Sequence, residues 1–517
     1  MLEKIYCAKC IGIDAVTVTV EVDIRSGIGI HLVGLGDTAV KESLLRTVNA
    51  LQSLGYSIPG KKIVINLAPA DLRKNGSGYD LPIALGIIAA SGQRSLPLLG
   101  KYVIMGELGL NGEIRDIPGA LAYAEMSSKS GFKGCILPVM SALEAEDFRD
   151  VEVYGIRTLE DAVRIVSDTE DVSDLLIWNT EEFRSARAAQ APDGPRYMDF
   201  SEIIGQEGAK RGAEIAAAGG HNLIMIGPPG SGKSSLAKAM AGILPRMTRE
   251  ESLVTTKIYS VAGKSRAGCG LIRERPVRSP HYSASVAALV GGGNGENILP
   301  GEVSLSNAGL LFLDEVAQMP KSAIEALRGP LEDRKVTISR LRSKIEYPAS
   351  FMLVAASNPC PCGYFGEGDK CRCTPSQRIS YMQHLSGPIM DRIDLQVIVR
   401  SVPVGDISAR RTGECSAVIA ERIRRARALQ TERFKDEDIS TNAEMTNKMI
   451  ALYCPLSAEC TNELGKVTET LGLSMRAYFR IIKVARTIAD LAGSDAIRPE
   501  HIIEAAGYRF LDRQNIY

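Results

Sequence analysis

The sequence predicts a multidomain α/β protein that ends in a helical region, and three observations carry that prediction. β-rich and helix-periodic runs alternate in two successive blocks, a glycine-rich turn in the second block joins an apolar run to a helical one, and from about residue 406 onward only helical patterning remains. A length of 517 residues exceeds what one core organises and suits about three units.

In the first block, residues 1–165, strand-like runs ("AVTVTVEVDI", "KKIVINLAPA", "KYVIMGEL", "KGCILP") alternate with helical ones ("LPIALGIIAAS", "GALAYAEMSSKSG"). Valine and isoleucine at every second position suit a half-buried strand, because branching at Cβ packs well on a pleated face. Residues 166–197 turn polar and acidic and are expected to be a linker. Residues 198–405 form the second α/β block, and 406–517 are expected to be a helical lid.

Composition narrows the function classes. Lys+Arg and Asp+Glu both number 61, so the net charge is zero and any DNA contact must come from a local patch. No apolar run reaches the length of a membrane span, and the first residues lack the apolar stretch of a secretory signal, so a cytoplasmic protein with no membrane partner is expected. Eleven cysteines in a reducing compartment do not suggest a disulfide framework. Scattered ones (Cys135, Cys269, Cys415, Cys454, Cys460) are expected to be small buried hydrophobes, and Cys7 and Cys10 have no second pair near them.

The second block contains "HNLIMIGPPGSGKSSLAKAMAGIL", a strand, a turn and a helix in the order that makes a Gly-x-x-x-x-Gly-Lys-Ser match a phosphate-binding loop. Gly227, Pro228, Pro229, Gly230, Ser231 and Gly232 would wrap backbone N–H groups around phosphates, Lys233 would reach the β and γ phosphates, and Ser234, followed by Ser235, would hold Mg²⁺. About 80 residues on, "LLFLDE" ends an apolar run in Asp314, a second Mg²⁺ group, and Glu315, which would polarise the attacking water. The run "FMLVAAS" ends at Asn358, placed to orient that water. Arg392, in "SGPIMDRIDLQV", offers a permanent planar charge suited to a transferring phosphoryl group; a structural ion pair to Asp391 or Asp394 is the other reading.

Directly behind Asn358, Cys360, Cys362, Cys371 and Cys373 place four thiols within fourteen residues, with Gly363, Gly366 and Gly368 between the pairs. Four thiolates suffice for a closed tetrahedral zinc site, and incidental thiols or a redox pair remain alternatives. Upstream, "KVTIS" and "KIEYP" flank "RLRSK", whose Arg340, Arg342 and Lys344 could hold phosphates without reading sequence, or could be a solvated hairpin tip. "RPVRSPHYSAS" adds Arg275, Arg278 and His281.

Together "GQEGAKR", "GPPGSGKS", "RPVRSPHYSAS", "GGGNGENILPGEVSLSNAGLLFLDE", "SNPCPCGY" and "SGPIMDRIDL" resemble the signature series of the ComM/YifB family, the magnesium-chelatase-like AAA+ ATPases of bacteria, over nearly the whole chain. The resemblance implies ATP and Mg²⁺ as ligands and a homohexamer in which Arg392 serves the neighbouring subunit's site. It also implies that Arg476, in "LGLSMRAYFRIIKVART", is a second sensor of the γ phosphate, and that Ile204 and Gln206 seat the adenine. The 335–348 region resembles a presensor hairpin aimed into a ring's pore. The first block resembles a Lon-protease-type domain in which Gly78 stands at the nucleophile's place and Leu121 at the lysine's, so no Ser/Lys pair can form. The activity implied is ATP-driven DNA branch migration of the natural-transformation kind, with recombination proteins as possible partners; a protein-remodelling or chelatase-type assembly ATPase is the alternative.

Overall fold

A computed structural model describes residues 2–34, 36, 38–74, 76–189, 197–265, 270–294, 297–340, 343–385, 387–402 and 413–512. The fold is mixed α/β with a helical C-terminal region. The first block builds a 7-stranded sheet in the spatial order Ile30–Val33, Lys62–Ala68, Asp14–Arg25, Leu2–Ile11, Tyr102–Ile104, Gly134–Pro138 and Glu152–Ile156. Strands Leu2–Ile11 and Asp14–Arg25 pair antiparallel, and Val18, Val20 and Val22 turn one face wholly inward. Helix Asp80–Ala90 is buried on nearly every side. Gly86 lets that helix touch the sheet, since an added methyl group would stand 2.5 Å from a Val22 methyl carbon.

The segment expected to be a linker from residue 166 is instead packed over most of its length. Leu175, Ile177 and Phe183 join the first block's core, and helix Glu181–Ala189 follows. Its acidic composition reflects the solvent side of short 3₁₀ turns that point Leu175 and Ile177 inward. The expected end of the second block, residue 405, lies within 403–412, outside the described residues, as do residues 190–196 near the end of this segment.

In the second block a 5-stranded sheet runs in the order Val277–Arg278, Leu310–Leu313, Met352–Ser357, Leu223–Ile226 and Leu395–Ile398, all neighbours parallel. Parallel strands covered on both faces are continuous apolar runs, as "LIMI" and "LLFL" are. The two blocks meet through Lys257, buried beneath Asp14 (2.9 Å) and Glu125 of the first block, and through Ser260, whose hydroxyl accepts from the Gly119 N–H at 2.9 Å.

The C-terminal region packs helices Ser416–Arg433, Ala458–Leu471, Met475–Leu491 and Pro499–Gly507 against the sheet. Its polar centre is Asp490, fully buried, bonded to Arg433 at 2.6 Å and 2.9 Å, to Arg486 at 3.1 Å and to Asn442 at 2.8 Å. Changing Asp490 to Ala strands two arginines in the interior. Chemical denaturation should show a loss of about 3–5 kcal/mol, the usual cost of removing one partner from a buried ion pair; a loss below about 1 kcal/mol, as for an exposed pair, would contradict this account.

Candidate functional site

The phosphate loop leaves the central strand Leu223–Ile226 and enters helix Lys233–Ile243. Its glycines are geometrically required at two kinds of position. Gly230 and Gly232 have φ of 75° and 93°, and a methyl group at Gly227 would stand 2.0 Å from the Val399 carbonyl oxygen. Lys233 Nζ is buried and donates to the carbonyls of Gly227 (2.6 Å) and Pro228 (2.8 Å) and to Asn358 Oδ1 (3.3 Å). Burial lowers its pKa, while Asp314 and Glu315 act in the opposite direction.

Strand Leu310–Leu313, separated from the central strand by Met352–Ser357, delivers Asp314 to the same edge. Ser234 Oγ donates to Asp314 Oδ2 at 2.8 Å, so the two expected Mg²⁺ groups are already in contact, and Asp314 Oδ1 accepts from the Glu315 N–H at 2.9 Å. Glu315 takes a left-handed backbone (φ 49°) that turns the chain off the strand. Hydroxyl, carboxylate, ammonium and amide therefore converge, and the donor set fits Mg²⁺ with a polyphosphate. On the other flank Gln206, also left-handed (φ 63°), donates Nε2 to the Ser231 carbonyl at 3.3 Å and to the Arg400 carbonyl, while its Oε1 accepts from the Arg400 N–H at 3.3 Å. Ile204 beside it is half-buried.

Arg392 and Arg476 are not brought to this site. Leu223 pairs with Leu395 and Ile226 with Ile398, so residues before Leu395 lie at the amino edge of the sheet, whereas the phosphate loop lies at the carboxyl edge. Four residues at about 3.3 Å each separate the edges by roughly 13 Å. There Arg392 is buried and paired with Glu332, Asp391 faces Arg476 at 3.7 Å, and Asp394 meets Arg480 and the Asn222 N–H (3.0 Å). Burial alone would raise Asp394, but Arg480 and His221 hold it well below the usual carboxylate range.

The four box cysteines do come together, and they form the one His/Cys/Asp/Glu group among the described residues whose ligand atoms could hold a metal. Sulfur separations are 3.4 Å for Cys360–Cys362, 3.8 Å for Cys360–Cys371 and 3.7 Å for Cys362–Cys371, and all four sulfurs lie within 4.8 Å. Four thiolates about 2.3 Å from a tetrahedral zinc stand about 3.8 Å apart, so the donor set fits that ion. Backbone N–H groups of Tyr364 and Arg372 draw the Cys362 thiol down to about 6. Of the scattered cysteines, Cys135, Cys454 and Cys460 are buried as expected, but Cys415 is exposed because it precedes helix Ser416–Arg433 as its N-cap; Cys269 lies outside the described residues.

The hairpin Lys335–Arg340/Ser343–Pro348 forms as expected. Arg342 and the Arg340 side chain lie outside the described residues; Lys344 is exposed and reaches Glu346 at 3.5 Å. Arg275 is bound to Glu251 at 2.8 Å and Arg278 to Glu302, which occupies both as structural cations. His281 is exposed, its Nδ1 2.8 Å from Ser283 Oγ. In the first block, a methyl group at Gly78 would stand 2.9 Å from the flexible tip of Met105, and Leu121 is fully buried.

Three family models match successive parts of the chain. Residues 199–407 match the family model described as magnesium chelatase, subunit ChlI, residues 20–141 the model for subunit ChlI of Mg-chelatase, and 413–509 the subunit ChlI C-terminal model. The chain is 41% identical to the protein named YifB of Escherichia coli, over 100% of this chain and 98% of the relative. It is 40% identical to the competence protein ComM of Haemophilus influenzae, over 99% and 98%. The magnesium-chelatase 38 kDa subunit of Chlorobaculum parvum is 21% identical over 60% of this chain and 88% of its own length.

Proposed function

Because the chain belongs to the YifB/ComM family of magnesium-chelatase-like AAA+ proteins, we propose that it is an ATP-hydrolysing ring motor that moves branched DNA. The observation that carries the reading is the opposed placement of two half-sites. Lys233, Ser234, Asp314, Glu315 and Asn358 gather at one edge of a parallel sheet, while Arg392 and Arg476 gather at the other. The two expected arginines, Arg392 and Arg476, lie away from the phosphate site, and a site of this kind can take its arginine from a neighbour. Repetition of such head-to-tail contacts closes a ring, taken here as a hexamer.

In the site, Ser234 and Asp314 hold Mg²⁺, Lys233 clamps the phosphates, and Glu315 accepts the proton of the attacking water that Asn358 orients. The cysteine box holds zinc, and the hairpin carrying Arg340, Arg342 and Lys344 meets the DNA backbone. The competence name of the Haemophilus relative favours DNA as cargo. A protein-remodelling role is favoured by a different observation: Lys335 and Lys344 both lean on Glu346, which dilutes the hairpin's charge.

Lys233→Ala should abolish nucleotide binding, whereas Glu315→Gln should bind ATP and barely hydrolyse it, as read by nucleotide titration and phosphate release. Equal ATP affinity in Lys233→Ala and the parent, or normal turnover in Glu315→Gln, would defeat the assignment.

Arg392→Ala should leave binding near normal and reduce hydrolysis by roughly 10³- to 10⁵-fold. Mixing it with Lys233→Ala should restore part of the rate, since one variant supplies the arginine and the other the phosphate loop. A mixture with no gain would place the arginine's effect within its own subunit.

DNA as cargo is tested by ATP turnover and strand displacement on three-stranded DNA with Arg340, Arg342 and Lys344 changed to Ala. Basal turnover should persist while DNA affinity falls, with the salt slope on duplex DNA flattened by about 0.9 per lost phosphate contact. Unchanged affinity, slope and displacement would favour the protein-remodelling reading.

A further inference from the structure

The cysteine box does not only leave the sheet beside the phosphate site; it leans on the phosphate loop. A methyl group placed on Gly363 would stand 2.8 Å from Cδ and 3.4 Å from Cγ of Pro229, and 3.9 Å from Cγ of Asn358. Pro229 is part of the loop that would wrap the phosphates, and Asn358 is bonded to Lys233. The turn carrying Gly363 is closed by its N–H on the Cys360 carbonyl at 2.9 Å, so two of the four thiols, Cys360 and Cys362, frame that turn.

The same loop reaches the other flank of the site. Glu367 accepts from the Ser401 N–H at 3.4 Å, next to Arg400, whose backbone is gripped by Gln206. Between them the Phe365 ring carries the Arg378 guanidinium 4.3 Å from its centroid. One loop therefore spans from the phosphate side to the expected base side of the nucleotide site. Its shape depends on what holds four sulfurs together.

We infer that the metal-filled cysteine box is the positioning element of the phosphate loop, with Gly363 as the residue that transmits it. This rests on the zinc reading above. Zinc fixes the Cys360–Gly363 turn, the turn supports Pro229, and the metal thereby sets nucleotide affinity. The box then acts on ATP binding, through a contact within the subunit, independently of any surface it offers to DNA.

The test measures equilibrium binding of a fluorescent ATP analogue with Mg²⁺, zinc content, and the KM and kcat for ATP in the full chain. The proteins compared are the parent, the Cys371→Ser/Cys373→Ser pair, Gly363→Ala and Gly366→Ala. Gly366 supplies the control: its φ of 90° matches the 85° of Gly363, but a methyl group there meets nothing within 4 Å. Both alanines suffer the same left-handed backbone strain, and only one touches the phosphate loop.

Losing zinc in the double cysteine variant should weaken nucleotide binding roughly tenfold, about 1.4 kcal/mol. Gly363→Ala should keep its zinc, weaken binding by a similar factor and raise KM with kcat near the parent value, while Gly366→Ala behaves as the parent. Zinc-free protein that binds nucleotide as tightly as loaded protein would overturn the inference, and so would equal affinities in the two alanine variants. Freshly reduced parent protein without zinc would overturn the zinc reading itself, and the comparison of Gly363→Ala with Gly366→Ala would still decide whether the turn positions the loop.

Discussion

The phosphate-site groups are placed by the parallel register of four strands, Leu310–Leu313, Met352–Ser357, Leu223–Ile226 and Leu395–Ile398. Parallel pairing sends all carboxyl ends to one edge. The loop after Ile226, Asn358 after Ser357 and Asp314 after Leu313 must then meet there, whatever their separation in sequence. The same register sends the residues preceding Leu395 to the other edge. A single pairing rule thus puts the phosphate-site groups and Arg392 at opposite edges of one sheet.

That rule explains which parts of the site were legible from sequence. Lys233 and Ser234 follow from a local spacing that has one structural meaning, and Asp314, Glu315 and Asn358 each end a short apolar run, so their convergence follows once the runs are read as parallel strands. What a run cannot reveal is its partner across the sheet. The local pattern offers Arg392 only its flanking aspartates, whereas Glu332, sixty residues earlier, pairs with it across the fold. Asp391 and Asp394 are used instead by the helix Met475–Leu491.

Composition misled where a short segment is amphipathic only through its fold. Residues 166–189 read as polar, but Leu175, Ile177 and Phe183 are each spaced so that brief turns sink them into the first block. Cys415 is exposed for the converse reason: a small apolar side chain beside a helix start finds no pocket to fill. Gly78 and Leu121 carry no hydroxyl and no amine, which is visible in the sequence itself.

The helix Met475–Leu491 ties the arginine edge to the lid. Arg476 faces Asp391, Arg480 meets Asp394, and Lys483, four and three residues further on by turns, donates to the Ala443 carbonyl at 2.9 Å, so one helical stripe engages both the strand entrance and the lid. Burial lowers Lys483 to about 8, while the nearby Asp394 acts in the opposite direction. His221, at the foot of the central strand, completes the seam by bonding Thr487 of the same helix at 2.8 Å. Arg476 and Arg480 thus tie the residues just before strand Leu395–Ile398 to this lid helix.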